Sequence, residues 1–157
     1  MPQMSIGGGP GSRADLANKG LRVLVLYERG AAGSRAVDQA RELMQAQDGR
    51  LTVVTLAPMD TRVRGCGVSA RDFNDAVRDS AQRELSEARR LFGSLAERVV
   101  FEVVSEGGDT SLARWAADGA FEVILLPARR WLFSRKGHPL AAALRESTTA
   151  DVRLVGA

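Results

Sequence analysis

Short, continuous apolar runs alternate along this chain with longer stretches in which apolar residues recur every three or four positions. Leu21-Arg22-Val23-Leu24-Val25-Leu26-Tyr27 is the first run, too continuous for a strand with one wet face, and it predicts a strand buried on both faces of a parallel sheet. Ala36, Val37, Ala40, Leu43 and Met44 follow at helical spacing, with Ser34 as the expected N-cap. The unit then repeats. Leu51 to Leu56 predicts a second strand stopped by Pro58, and a loop from Met59 to about Arg71 leads to a long helix capped at Asp72. One face of that helix carries Phe73, Val77, Ala81, Leu85, Ala88, Phe92 and Leu95, with charges on the other.

Val99 to Val104 predicts the third strand, and Asp109 or Thr110 caps a short helix that carries Leu112, Trp115 and Ala116 and closes at Gly119. Phe121 to Leu126 is the fourth strand, with Pro127 ending its ladder because proline has no amide hydrogen to donate. A helix over residues 139–147 and a last strand, Val152-Arg153-Leu154-Val155, complete the pattern. Strict alternation of this kind predicts an α/β fold: a doubly wound, five-stranded parallel sheet with helices on both faces. Residues 20–157 form one such domain. Residues 1–19, with Gly7, Gly8, Gly9, Pro10 and Gly11, read as a flexible tail too polar to offset the entropy of ordering it. In sheets of this type ligands bind outside the carboxyl ends of the strands, where strand order reverses, so attention falls on the residues just after strands one, two and four.

Composition adds limits. At 157 residues, 45% apolar and 26% charged, the chain suits one ordinary globular domain. The formal charge is only +3, so an anionic partner would have to be met by local clustering. A single cysteine, Cys66, excludes an intrachain disulfide and reads as a passive loop residue in a reduced, cytoplasmic setting. No apolar run approaches the length that spans a bilayer, and the N-terminal residues form no hydrophobic signal core, so no membrane association is expected.

The stretch Val23-Leu24-Val25-Leu26-Tyr27-Glu28-Arg29-Gly30, followed by Ser34-Arg35-Ala36 and Ala40, resembles the opening of universal stress proteins. There a hydrophobic strand ends in an aspartate, followed by a small-residue turn and an alanine-bearing helix; Glu28 stands in the aspartate's place. Leu56-Ala57-Pro58 is similar to the family's second strand and its exit, and the remaining elements follow in the family's order over about residues 20–156. The resemblance implies a Rossmann-like domain of the adenine nucleotide alpha hydrolase type, a role in stress response, and a homodimer paired through the last strand, here Val152, Arg153, Leu154 and Val155.

Members that bind ATP wrap its phosphates in a loop of glycine, two residues, glycine, nine residues, then Gly-Ser or Gly-Thr, at a helix N-terminus. Glycines let backbone amides approach phosphate oxygens, and the helix end adds its positive dipole. This chain departs from that loop. Pro127 stands at the first glycine, Arg130 at the second, and Gly137-His138 at the Gly-Ser position after a spacer of six residues. The loop is shorter, stiffer and bulkier, and ordinary ATP binding is not expected; ATP or AMP binding through Arg129, Arg130, Arg135 and Lys136 is the alternative, since guanidinium groups hold phosphate by paired hydrogen bonds. A solvated basic loop accounts for the same residues. Trp131, Leu132 and Phe133 fit a lid, a partner patch or inward filler.

The candidate ligand residues are therefore Glu28, Leu56, Pro127, Arg129, Arg130, Gly137 and His138. No catalytic residue is assigned, because neither a Ser-His-Asp nor a Cys-His arrangement can be placed and Gly-x-Ser-x-Gly is absent. His138 is the only histidine and has no partner at ligand spacing, so no metal is expected. The sequence points to a non-enzymatic module acting by dimerisation and association with a protein partner. Nucleic acid is a weaker option that rests on a few aromatic and basic residues.

Overall fold

The computed structural model describes residues 20–57, 69–105, 109–128 and 139–156, with side chains inside the third helix described from residue 112 onward. The elements in chain order are β1 (Arg22–Leu26), α1 (Ala31–Ala46), β2 (Arg50–Leu56), α2 (Ala70–Phe92), a 3-10 turn (Gly93–Arg98), β3 (Val99–Val104), α3 (Asp109–Gly119), β4 (Val123–Pro127), α4 (Pro139–Ser147) and β5 (Asp151–Val155). All strands run parallel in one sheet of order β3-β2-β1-β4-β5. The expected α/β class and doubly wound sheet are what the chain adopts.

Successive strand residues point to opposite faces, and β1 feeds a separate core on each. Val23, Val25 and Tyr27 pack with Ala36, Val37 and Ala40 of α1 and with Leu85, Ala88 and Phe92 of α2. Leu24 and Leu26 pack on the other face with Leu112 and Ala116 of α3 and with Leu140, Ala141 and Leu144 of α4. A fully buried aliphatic or aromatic side chain contributes roughly 1.5–3 kcal/mol. Exposed ion pairs such as Arg98–Asp48 at 3.3 Å contribute about 0–1 kcal/mol. The two apolar layers therefore decide the fold.

Several boundaries differ from the sequence reading, each for a local reason. Ser34 does not cap α1. The helix starts four residues earlier, with Gly30 at the N-cap in a backbone conformation (φ 124°, ψ −176°) open to glycine, and the Ser34 amide donates to the Gly30 carbonyl at 3.0 Å. Asp72 does not cap α2 either; Ser69 does, its hydroxyl accepting from the Asp72 amide at 3.1 Å, while the Asp72 carboxylate lies in the first turn where the helix dipole favours it. Gly93, at φ 57°, stops α2 after Phe92, so Leu95 belongs to the 3-10 turn. Phe121 precedes β4 and stacks on Trp115 of α3 with ring centroids 5.6 Å apart. Pro127 does not end the ladder: it is the last residue of β4, in register with Val155, and the next amide, that of Ala128, donates to the Val155 carbonyl at 2.7 Å. The tail 1–19, Cys66 and the loop 58–68 lie outside the described residues, as do the side chains of Asp109 and Thr110.

Gly33, in the first turn of α1, sits where a methyl group would collide with the Glu28 carbonyl oxygen and press on the Tyr27 ring. In an open helix, glycine to alanine gains about 1 kcal/mol. Overpacking costs about 1–3 kcal/mol, and the collision is with backbone, which yields least. Gly33→Ala is therefore expected to destabilise the domain, read as a lower urea midpoint with an unchanged m-value.

Candidate functional site

Strand order reverses between β1 and β4, the position at which sheets of this type open a crevice at their carboxyl edge. The ladder shows the opening directly. Pairing of β1 with β4 runs from Val23↔Val123 to Val25↔Leu125 and stops, whereas β1–β2 pairing continues to Leu26↔Val54 and β4–β5 pairing to Pro127↔Val155. Beyond Leu125, then, β4 leaves β1 but keeps hold of β5.

Three of the seven predicted ligand residues lie on this edge. Glu28 follows β1 and is half-buried, Leu56 ends β2 and is half-buried, and Pro127 ends β4 and is buried. Because β2 and β4 flank β1, the fold brings these three strand ends together around the reversal. Arg129, Arg130, Gly137 and His138, with Trp131, Leu132 and Phe133, fall outside the described residues. The turn from Glu28 to α1 passes through Gly30 and aims the first amides of α1 at the same edge, where a helix carries its unpaired donors and the positive end of its dipole.

A polar network that sequence reasoning missed ties this edge to α2. The buried Tyr27 hydroxyl donates to Glu87 Oε1 at 3.1 Å, and Arg29 Nε donates to Glu87 Oε2 at 2.8 Å. The two pairs span 60 and 58 positions of sequence, so no local pattern announces them. Burial, then the hydrogen bond to Glu87, pushes the Tyr27 hydroxyl up to about 12. The hydrogen bond from Arg29 holds the Glu87 carboxyl below its usual range, and the same bond raises the Arg29 guanidinium. Deeper in the sheet, the buried Thr55 hydroxyl donates to the Ala81 carbonyl at 3.0 Å and ties β2 to α2 as well. These groups hold the walls of the crevice in place. Among the described residues, no three His, Cys, Asp or Glu side chains gather as a metal-ligand set, and no helix is long and apolar enough to cross a membrane.

The predicted pairing strand is also placed. β5 lies at the margin of the sheet and, among the described residues, is hydrogen-bonded to β4 alone. Val152 and Val155 are buried, Leu154 is half-buried and Arg153 is exposed, with its Nε bonded to Asp151 at 2.7 Å. A groove of about 430 Å3 beside it is lined by Gln39, Glu42, Leu43 and Ala46 of α1 and by Arg153 and Leu154.

No protein-family model and no curated protein matches the chain. Solved structures do. The universal stress protein UspA from Lactobacillus plantarum superposes with a TM-score of 0.68 at 15% identity, over 86% of this chain and 97% of that one. A protein of the universal stress protein family from Burkholderia pseudomallei gives 0.64 at 21% identity, over 87% and 96%. A universal stress protein crystallised in complex with cAMP gives 0.59 at 19% identity, over 87% and 97%. The chain carries the universal stress protein fold, and the resemblance read in its sequence is borne out at that level.

Tyr27 is the only tyrosine in the chain, so tyrosinate absorbance reports the network without interference. Its pKa is raised in the folded state, so the stability it contributes is fully present below the ordinary tyrosine value of 10.0 and is lost as pH rises through about 12. Alkaline titration of the native protein is expected to show tyrosinate forming near 12, and near 10 in denaturant. Tyr27→Phe, which removes one hydrogen bond, is expected to cost about 0.5–1.5 kcal/mol in urea unfolding.

Proposed function

We propose that this chain, built on the universal stress protein fold, serves as a stress-response module that acts by association. In this reading it pairs with a second copy of itself through β5 and offers the assembled surface to a protein partner, without holding ATP in a glycine cradle. The observation that carries the reading is the position of β5. Among the described residues it is paired on one side only, so a row of backbone donors and acceptors faces outward beside a groove lined from α1, and an unpaired edge of this kind is a template for a second strand. The exit of β4 supports the second half of the proposal. Pro127, at the position of the family's first phosphate-binding glycine, is buried and in register with Val155, and it has no amide to offer a phosphate.

One observation favours a second reading. The parting of β4 from β1 leaves a crevice where this fold accepts ligands, and one structure of the same fold is a complex with cAMP. Under that reading an adenine nucleotide sits beside Glu28, Leu56 and Pro127, with Arg129, Arg130, Gly137 and His138 holding its phosphates.

Light scattering at micromolar concentration is expected to give the mass of a dimer, and Leu154→Pro is expected to shift it toward the monomer while the far-ultraviolet spectrum stays α/β. A strictly monomeric wild type would overturn the pairing. Calorimetry with ATP, AMP and cyclic AMP separates the two readings: no saturable heat supports association alone. Saturable binding lost in an Arg129→Ala, Arg130→Ala double variant would establish the nucleotide instead.

A further inference from the structure

The amino edge of the sheet, at the far end from the crevice, gathers three arginines in a row. β1 and β2 both open on arginine, and the register sets Arg22 directly opposite Arg50. On the other side of β2, Leu51 is opposite Val99, and Arg98 immediately precedes Val99 just as Arg50 precedes Leu51. Arg50 and Arg22 therefore open β2 and β1, and Arg98, the last residue of the 3-10 turn, stands immediately before β3 beside them. With Leu51, Thr52, Val100 and Phe121 these arginines line a cavity of about 350 Å3.

Like charges directly across from one another in a sheet are destabilising, and among the described residues no acidic side chain lines this cavity. What the arginines do have is partial. The Arg22 guanidinium lies over the Phe121 ring, 5.5 Å from its centroid, which leaves its N–H donors in the plane. Arg98 gives one contact at 3.3 Å to Asp48, whose carboxylate is 95% exposed and screened by water. No carboxylate among the described residues pairs with Arg50. Thr52 lies two residues beyond Arg50 on the same strand and so on the same face, half-buried, and adds a hydroxyl to the wall. Val100, 53% exposed, is an apolar rim with nothing described above it.

We propose that Arg22, Arg50, Arg98 and Thr52 form a binding site for a small phosphate-bearing anion, separate from the crevice at the carboxyl edge. The anion supplies the negative charge that the row lacks, and guanidinium forks bind phosphate oxygens in pairs. The size and shape of the site favour a small ligand over a nucleic-acid strand. The three arginines line one cavity with Leu51, Val100 and Phe121, and its volume is at the small end of ligand pockets. The source is either inorganic phosphate chemistry or an organic phosphomonoester, and both present the same oxygens to the arginines.

Calorimetry on the full chain at low salt, with inorganic pyrophosphate and with a sugar phosphomonoester as probes, tests the site. Saturable binding of at least one probe is expected, weakened about tenfold or more in Arg50→Gln, because a hydrogen bond to a charged group is removed. Binding is expected to be unchanged in Arg83→Gln, which makes the same charge change on the exposed face of α2. The tighter probe identifies the source. Without any phosphate, Arg50→Gln is expected to melt at a higher temperature than wild type, because the cross-strand repulsion is gone, and to lose the rise that pyrophosphate gives wild type. That gain in the variant also shows that it folds. Absence of saturable binding to both probes would overturn the proposal, as would equal affinity in Arg50→Gln or equal weakening in Arg83→Gln. A single-stranded oligonucleotide that bound more tightly than either probe, and alone depended on Arg50, would replace it with a nucleic-acid surface.

Discussion

Every layer of this molecule is anchored on β1. Its residues Val23 to Val25 are paired with β2 along one edge and with β4 along the other, and both of their faces are covered by helices. Such a strand has no wet side, so it must be apolar throughout, and the helices above and below it must each offer an apolar stripe. From that requirement follow the small residues Ala36 and Ala40 of α1, which let that helix lie close to the sheet, and the larger Leu112, Leu140 and Leu144 on the opposite face. Surface ion pairs contribute little beside this double core.

The same strand sets the geometry of the candidate crevice. Its pairing with β4 stops at Leu125, and the chain then has to turn from β1 into α1 within a few residues. Gly30 accepts the backbone conformation of that turn, and Gly33 lets the first helical turn sit against the Glu28 carbonyl. Tyr27 and Arg29, on either side of Glu28, are both bonded to Glu87 of α2. The wall of the crevice is thus fixed by contacts from outside the local segment, and the polar groups that do the fixing are themselves satisfied.

Both proposed contacts with other molecules lie at margins of the sheet. At the β5 margin, one free row of backbone groups lies beside a groove. At the amino edge, parallel register stacks Arg22, Arg50 and Arg98, charges that are harmless one by one and costly in a row. Both features arise from strand order and register, since the same residues on separate helices would be ordinary solvated surface.

Much of this was legible in the chain itself. Mostly apolar runs marked the described strands, helical spacing marked α1 and α2, and the rule that ligands meet strand ends drew attention to Glu28, Leu56 and Pro127. Those signals have periods of two to four residues and are complete within a short window, which is why they could be read. Boundaries were less legible, because Gly30 acts through backbone conformation, Ser69 through a hydroxyl that meets the Asp72 amide only once the helix has turned, and Pro127 through a neighbouring strand. The bonds of Tyr27 and Arg29 to Glu87 and the row of three arginines had no local signal at all. Partners some 58 to 60 positions apart, and register across three strands, come into being only when two cores close at once on either face of β1. The sequence by itself determined the elements, their order and the layer each apolar face would seek. Only the tertiary structure decided which polar side chains would meet, because that depends on distances the chain acquires by burying its strands.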